Sequence, residues 1–133
     1  MREIKFRAWD NLTKKIYRVT SWVDGSVHLS GNAEEGEHSR LMHEVILMQY
    51  IGLKDKNAVL IYDGDFLDNG IAYGEVYQAD SGTFMVRWHE HEEGELTGKT
   101  RIDTLFSDPK QDKFKIIGNI YESELFKGVR KNG

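Results

Sequence analysis

The sequence predicts a mainly β protein, with a small β-barrel in the C-terminal part and an N-terminal lobe built on a β-hairpin. Three observations carry this. Apolar and polar side chains alternate with a period of two in several segments, while helical periodicity is weak throughout. Short apolar runs recur at roughly ten-residue spacing, the pattern of a small barrel or sandwich. The breaks between them are made by Gly, Asn and Asp, in a chain with 13 Gly and a single Pro.

The first strand lies in Glu3–Trp9, where Ile4, Phe6 and Ala8 point one way and Lys5, Arg7 and Trp9 the other. Asp10-Asn11 and Lys14-Lys15 bracket a turn, and Ile16–Val19 returns as the hairpin partner. Trp22-Val23 and Val27–Leu29 flank Asp24-Gly25, a dipeptide suited to a tight turn. Residues 30–40 are polar, acidic and glycine-containing, and are expected to form a mobile loop. Leu41–Tyr50 fits either an opening helical turn or a buried strand over Val45–Met48; strand is the expectation. Gly52–Asn57 forms a turn cluster, Val59–Tyr62 a short strand, and Asp63-Gly64-Asp65 a sharp turn in which Gly64 takes positive φ freely. Ile71–Tyr77, Thr83–His89, Lys99–Phe106 and Phe114–Tyr121 complete the strands. Phe84, Val86 and Trp88 share one face, as do Phe114, Ile116, Gly118 and Ile120. Each large apolar residue buried there contributes about 1.5–3 kcal/mol. The domain boundary is expected near residue 56, with an N-terminal lobe over 1–56 and the barrel over 57–133 ending in a polar tail, the two forming one integrated domain.

Composition narrows the function classes. The 133 residues suffice for one core. No run approaches the roughly 20 apolar residues of a membrane helix, and the charged N-terminus lacks a signal-peptide core, so no membrane contact is expected. Cysteine is absent, which removes disulfides, thiolate metal sites and cysteine nucleophiles and fits a reducing compartment. Residues 1–20 carry a net charge of +4 while the remainder carries −8. An acidic body argues against broad nucleic-acid binding, although a local basic face remains open.

Five segments in order and spacing resemble the YopX family of phage and prophage proteins: Arg2–Asp10, Leu47–Asn57, Ile61–Asp65, Gly74-Glu75-Val76 and Ile117–Glu122. The resemblance covers nearly the whole chain. It implies an SH3-type barrel in the C-terminal part, carriage by a phage or an integrated element, and a place in the cytoplasm of a bacterial host. It implies no reaction and no site residues, since the family has no assigned function. One departure stands out: the family often has Gly after the Lys-Asn pair, where this chain has Ala58, so a different turn type is expected there.

Candidate sites divide as follows. His89 and His91 share one side of a strand and could share a metal ion if a third ligand arrived; the competing reading is a solvated strand end, and neither metal nor cofactor is expected. His28, His38 and His43 complete no ligand spacing. Asp63-Gly64-Asp65 lacks the twelve-residue ligand pattern of a calcium loop and reads as a turn. No nucleophile elbow, phosphate loop or dinucleotide fingerprint is present, so no catalytic residue is named and the chain is not expected to be an enzyme. Lys5, Arg7 and Trp9, with Lys14 and Lys15, could hold phosphates and stack a base, or could blunt an edge strand against aggregation. Trp22, Tyr62, Tyr73, Tyr77 and Tyr121 could offer an aromatic peptide-binding face, or could fill the barrel. On strand Ile71–Tyr77, either Tyr73 and Tyr77 or Ala72, Gly74 and Val76 form the core side.

The expected function is a non-catalytic binding module for a host or phage protein, with self-association into a homo-oligomer as one form of it. Contact with nucleic acid through the basic strand is the second expectation, and a metal-dependent enzyme the third.

Overall fold

A computed structural model describes residues 5–31, 36–104 and 114–122 of the chain. Its elements are β1 (Phe6–Asp10), β2 (Lys15–Val23), β3 (Ser26–Ser30), β4 (Glu37–Leu41), the 3-10 turn η1 (Met42–Glu44), β5 (Val45–Lys54), β6 (Leu60–Tyr62), β7 (Asp65–Asp68), β8 (Ala72–Gln78), β9 (Phe84–Glu92), β10 (Glu95–Thr104) and β11 (Lys115–Asn119). Among the described residues there is no α-helix, and the mainly β expectation holds. Two antiparallel sheets result, ordered β4-β3-β2-β1-β5-β6 and β10-β9-β8-β7-β11. The chain divides into two compact units, Met1–Tyr50 and Ile51–Gly133, so the division falls inside β5, where the sequence suggested residue 56.

In the first unit β1 pairs with β2 on one side and β5 on the other. It is therefore an interior strand, and its charges do not protect an edge. Ala8, Tyr17, Val27, Leu29 and Val45 form the core, with Val19 and Leu47 packed against it. The polar stretch 30–40 contains β4, which pairs with β3 from Glu37↔Ser30 to Leu41↔Ser26; residues 32–35 of the expected loop lie outside the described residues. No apolar alternation marks β4 because its two inward positions, His38 and Arg40, are polar. Both find the buried carboxylate of Asp10, which is 0% exposed. Arg40 Nε donates to Asp10 Oδ2 at 3.0 Å, and His38 Nε2 lies 3.4 Å from the same oxygen. β1 and β4 are separated by two strands in the sheet, so this contact spans a sheet curled over its own inner face. Asp10 Oδ1 also accepts the Leu12 N–H at 2.9 Å, fixing the β1–β2 turn. Leu41–Tyr50 holds both of the structures open in sequence: η1, then β5.

In the second unit β7 to β10 form a meander and β11 returns beside β7. No pairing among the described residues joins β10 to β11. The core is Ile51, Ile61, Leu67, Ala72, Val76, Phe84, Val86, Trp88 and Phe114. The Phe84–Val86–Trp88 face is buried as expected, and on β8 the core side is Ala72, Gly74 and Val76. Alternation in the last strand is interrupted by a bulge between Ile116 and Gly118. β7 is absent from the sequence reading because its four residues, Asp-Phe-Leu-Asp, are too few to show a period. Phe106 and the tail 127–133 lie outside the described residues.

Turns in this unit are held by acidic and amide side chains acting as backbone acceptors. Asp55, 7% exposed, takes the N–H groups of Asn57 (2.8 Å) and Val59 (2.9 Å) on one oxygen and that of Ile116 (3.0 Å) on the other. Asp65 Oδ2 accepts from Tyr62 N–H at 2.8 Å, and Gly64 has φ 89°, so Asp63-Gly64-Asp65 is the turn the sequence indicates. Asn119 Oδ1 accepts from the N–H groups of Tyr121 and Glu122 at 2.9 and 3.0 Å.

Ala58 is a correction. It adopts φ 63°, the left-handed conformation that glycine takes readily, so the turn keeps that geometry despite the Cβ. That conformation costs an L-residue roughly 1–2 kcal/mol, partly offset in comparison with Gly by glycine's own entropy cost of about 0.5–1 kcal/mol. Ala58→Gly is expected to stabilise the chain by about 0.5–1 kcal/mol, read as a higher urea midpoint at unchanged slope; an unchanged or lower midpoint contradicts the strain.

Asp10 and Asp55 both titrate below the ordinary carboxylate value. Burial pushes each up, but at Asp10 the Leu12 N–H, Arg40, Thr13 and His38 outweigh it, and at Asp55 the N–H groups of Ile116, Val59 and Asn57, with the Lys56 charge, do the same. A folded pKa below the unfolded one means that the unfolded chain binds more protons in acid. The stabilisation is thus complete above about pH 5 and drains away as pH falls through the folded values. Asp55→Asn keeps one oxygen and loses the other, which strands a backbone N–H at a cost of about 1–3 kcal/mol. Stability measured against pH should fall less steeply below about pH 4 in this variant than in the parent; parallel profiles would refute the assignment.

Candidate functional site

Three surfaces collect chemistry-bearing side chains: the outer face of the β7–β9 strands, a cleft at one end of the same sheet, and the tip of the β2–β3 hairpin. The first two depend on Gly74. A Cβ at Gly74 would stand 2.7 Å from Val86 Cγ2 and 2.9 Å from Trp88 Cε3. Gly74 pairs with Trp88 in the β8–β9 ladder, so the missing side chain lets the indole lie against the backbone.

On the outer face, residues next to Gly74 form a row of polar and aromatic contacts. His89 Nε2 donates to Glu75 Oε1 at 2.8 Å, and His89 is only 5% exposed. The His91 ring stacks on Tyr73 with centroids 4.0 Å apart and planes 23° apart, and its Nε2 lies 3.4 Å from Asp68 Oδ1. The carboxylate can only accept, so Nε2 is the donor, and the buried Nδ1 has no hydrogen-bond partner among the described residues. Arg87 lies over the Tyr77 ring, 5.3 Å from its centroid. His89 and His91 are therefore on one side, as their spacing indicates, but they are packed and partnered rather than a solvated strand end. Among the described residues no group of three or more His, Asp or Glu is arranged to hold a metal ion.

The cleft lies where the β7–β8 turn meets β9 at Trp88 and Glu90 and β10 at Lys99, Thr100 and Arg101, with a volume of about 200 Å³. Its apolar lining is Ile71, Ala72 and Trp88, and its charged lining is Glu90, Lys99 and Arg101. Asn69 Oδ1 accepts the N–H groups of Ile71 and Ala72 at 2.9 and 2.8 Å, which fixes the turn that carries Ile71.

The third surface belongs to the first unit. Trp22 (49% exposed), Val23 (58%), Leu41 (50%) and Met42 (40%) surround the β2–β3 turn. Val23 pairs with Ser26, which pairs with Leu41, so the two apolar side chains flank a small one on the same face. Met42 N–H donates to Gly25 O at 2.9 Å, tying η1 to the hairpin tip. Trp22 meets Phe6 edge-on at 5.2 Å.

The structure does not bring the predicted aromatic face together. Trp22 is exposed in the first unit, while Tyr62, Tyr73, Tyr77 and Tyr121 are half-buried in the second. Of the predicted basic face, Lys14 and Lys15 are exposed and Lys5 and Arg7 are half-buried, but Trp9 is 9% exposed, so its ring is not offered for stacking. Asp10, Glu75 and Lys99 are not among the candidate site residues that the sequence offers. Each sits in a strand or at its end, and each acquires its role from a cross-strand neighbour.

The family model described as YopX protein matches residues 5–127. No curated protein matches the chain. The crystal structure of protein EF1440 from Enterococcus faecalis is similar at 23% identity and a TM-score of 0.49, covering 92% of this chain and 96% of that one. No helix among the described residues is long and apolar enough to cross a membrane.

Gly74→Ala forces Val86 or Trp88 to shift, and an overpacked core costs about 1–3 kcal/mol. A drop of that size in unfolding free energy, with loss of the Trp88 indole shift from its native position by NMR, is expected; unchanged stability would show that the core can yield there.

Proposed function

We propose that this chain, which belongs to the YopX family, is a non-catalytic protein-binding module that meets its partner through the tip of the β2–β3 hairpin. The observation that carries this is the pair of large apolar side chains held out on one face at that tip, Val23 and Leu41, with Met42 following in η1. Exposed apolar side chains gathered at one place mark interaction surfaces, whereas single ones are ordinary. The neighbouring β4 stands at the end of its sheet, so its outer backbone edge favours an extended partner segment added as a further strand.

The same reading takes the partner to be a host or phage protein in the bacterial cytoplasm, or a second copy of this chain. It also takes the second unit as an SH3-type barrel: a four-strand meander whose fifth strand returns to the first supports that topology.

Val23→Ser with Leu41→Ser removes the apolar pair at positions whose exposure keeps the stability change within about 0.5 kcal/mol. Tagged parent and variant chains, isolated from bacteria that carry the gene and sized by light scattering, provide the test. A partner or a self-associated form present in the parent and lost in the equally stable variant is expected. Recovery of the same species with both chains, or a parent that is monomeric and without partner, would end this reading.

A further inference from the structure

We propose that the cleft at the end of the five-stranded sheet is a binding site for a small zwitterion of the α-amino-acid class with an apolar side chain. The site is separate from the hairpin tip and does not depend on the protein-binding reading.

The bulge in β10 carries most of the case. Thr100 pairs with His89 and Leu96 with His91, so four steps along β10 are matched to two along β9. Continued from Thr100, a regular ladder would set Lys99 directly opposite Glu90, where ammonium and carboxylate would neutralise each other. Instead the chain loops outward: Gly98 takes φ 91°, Thr97 Oγ1 donates to Glu90 O at 3.3 Å, and Lys99 N–H donates to Thr97 Oγ1 at 3.3 Å. Glu90 and Lys99 both line the cleft. Among the described residues neither makes an ion pair, with the other or with any group. Bulges commonly re-aim side chains beside functional sites, and this one holds opposite charges apart within one concavity.

The remaining lining fits the space between two such charges. Arg101 faces the same side as Trp88, its ladder partner, and supplies a second cation next to Lys99; its Nε is taken by Asp103 at 2.6 Å, which leaves the terminal nitrogens of the fork. Trp88, Ala72 and Ile71 supply an apolar surface, and Ile71 is 68% exposed on a turn fixed by Asn69. The volume, about 200 Å³, is below the roughly 300–1,000 Å³ of drug-sized sites, so the occupant is small. An α-ammonium facing Glu90, an α-carboxylate facing Lys99 and Arg101, and an aliphatic side chain against Ile71 and Trp88 would use every charged group of the lining and its apolar surface.

The test is NMR titration of the full chain with L-leucine, read at the Trp88 indole N–H and at the backbone amides of Glu90, Lys99 and Arg101. The comparison ligands are 4-methylpentanoate, which lacks the ammonium, isopentylamine, which lacks the carboxylate, and glycine, which lacks the side chain. Leucine is expected to shift these signals saturably, and each comparison ligand to bind about tenfold more weakly or worse, as the loss of one charge-assisted contact or of the apolar burial requires. Glu90→Gln and Lys99→Gln should each weaken leucine binding by about tenfold while the thermal midpoint stays unchanged. No saturable shift with leucine or any other apolar amino acid up to millimolar concentration would overturn the proposal. So would equal binding of the half-charged ligands, or variants that bind leucine as the parent does.

Discussion

The second unit is organised around the approach of Trp88 to the backbone of Gly74. A side chain at residue 74 would stand inside van der Waals distance of both Val86 and Trp88, so the absence of one is what lets the largest residue of the core pack flat in the ladder. Two further features follow. With Trp88 turned inward, its strand neighbours His89 and Arg87 must turn outward, where Glu75 and Tyr77 of β8 meet them. The same indole also lines the cleft beside Glu90. The segment Gly74-Glu75-Val76 is thus intelligible residue by residue: no side chain for the indole, a carboxylate for His89, and an apolar group for the core.

A second constraint runs through both units. Four aspartates accept backbone N–H groups in turns. Asp10, Asp55, Asp65 and Asp68 each accept at least one from a turn, and Asn69 and Asn119 do so with amide oxygens. A chain with a single Pro makes its turns this way, because a short side-chain acceptor can replace the missing backbone partner. Asp10 goes furthest. As a fully buried carboxylate it needs a cation and hydrogen-bond donors to be tolerated at all, and the Arg40 guanidinium and the His38 ring arrive from a strand that has no apolar pattern of its own.

How much was legible in sequence follows from the range of each interaction. The Phe84–Val86–Trp88 face, the presence of a strand at Phe6–Asp10, and the Asp24-Gly25 and Asp63-Gly64-Asp65 turns are local patterns, and a reader of the chain finds them. That the first strand lies inside its sheet and not at an edge is set by pairing with β5, about forty residues away. β4 was hidden because its inward residues are polar, and their partner lies about thirty positions away. β7 was hidden by its length. Ala58 misled because a Cβ disfavours positive φ without forbidding it, and the surrounding bonds, among them Ala58 N–H to Asp55 O at 3.0 Å, hold the turn regardless. His89 and His91 were correctly placed on one side of a strand, but their burial is set by cross-strand partners that no spacing within β9 reveals. The candidate sites were the least legible part, since the hairpin tip and the cleft are both assembled from segments joined only by register.

Register also explains why one residue's displacement can create a site where sequence suggests none. In an unbulged β9–β10 ladder, Lys99 opposite Glu90 is an ordinary surface ion pair, worth about 0–1 kcal/mol and chemically closed. The inserted residues around Gly98 forgo that small gain and leave Glu90 and Lys99 without an ion-pair partner among the described residues, beside an apolar surface. The stability lost is slight, because the pair forgone was weak. The recognition made available is larger, because a ligand that meets both charges at once and lays an apolar group on Ile71 and Trp88 gains from three contacts where the ion pair gains from one. A bulge at this position is therefore an inexpensive way for a small β-sheet to acquire polarity at its rim while its core, a few ångströms away, stays apolar and closed.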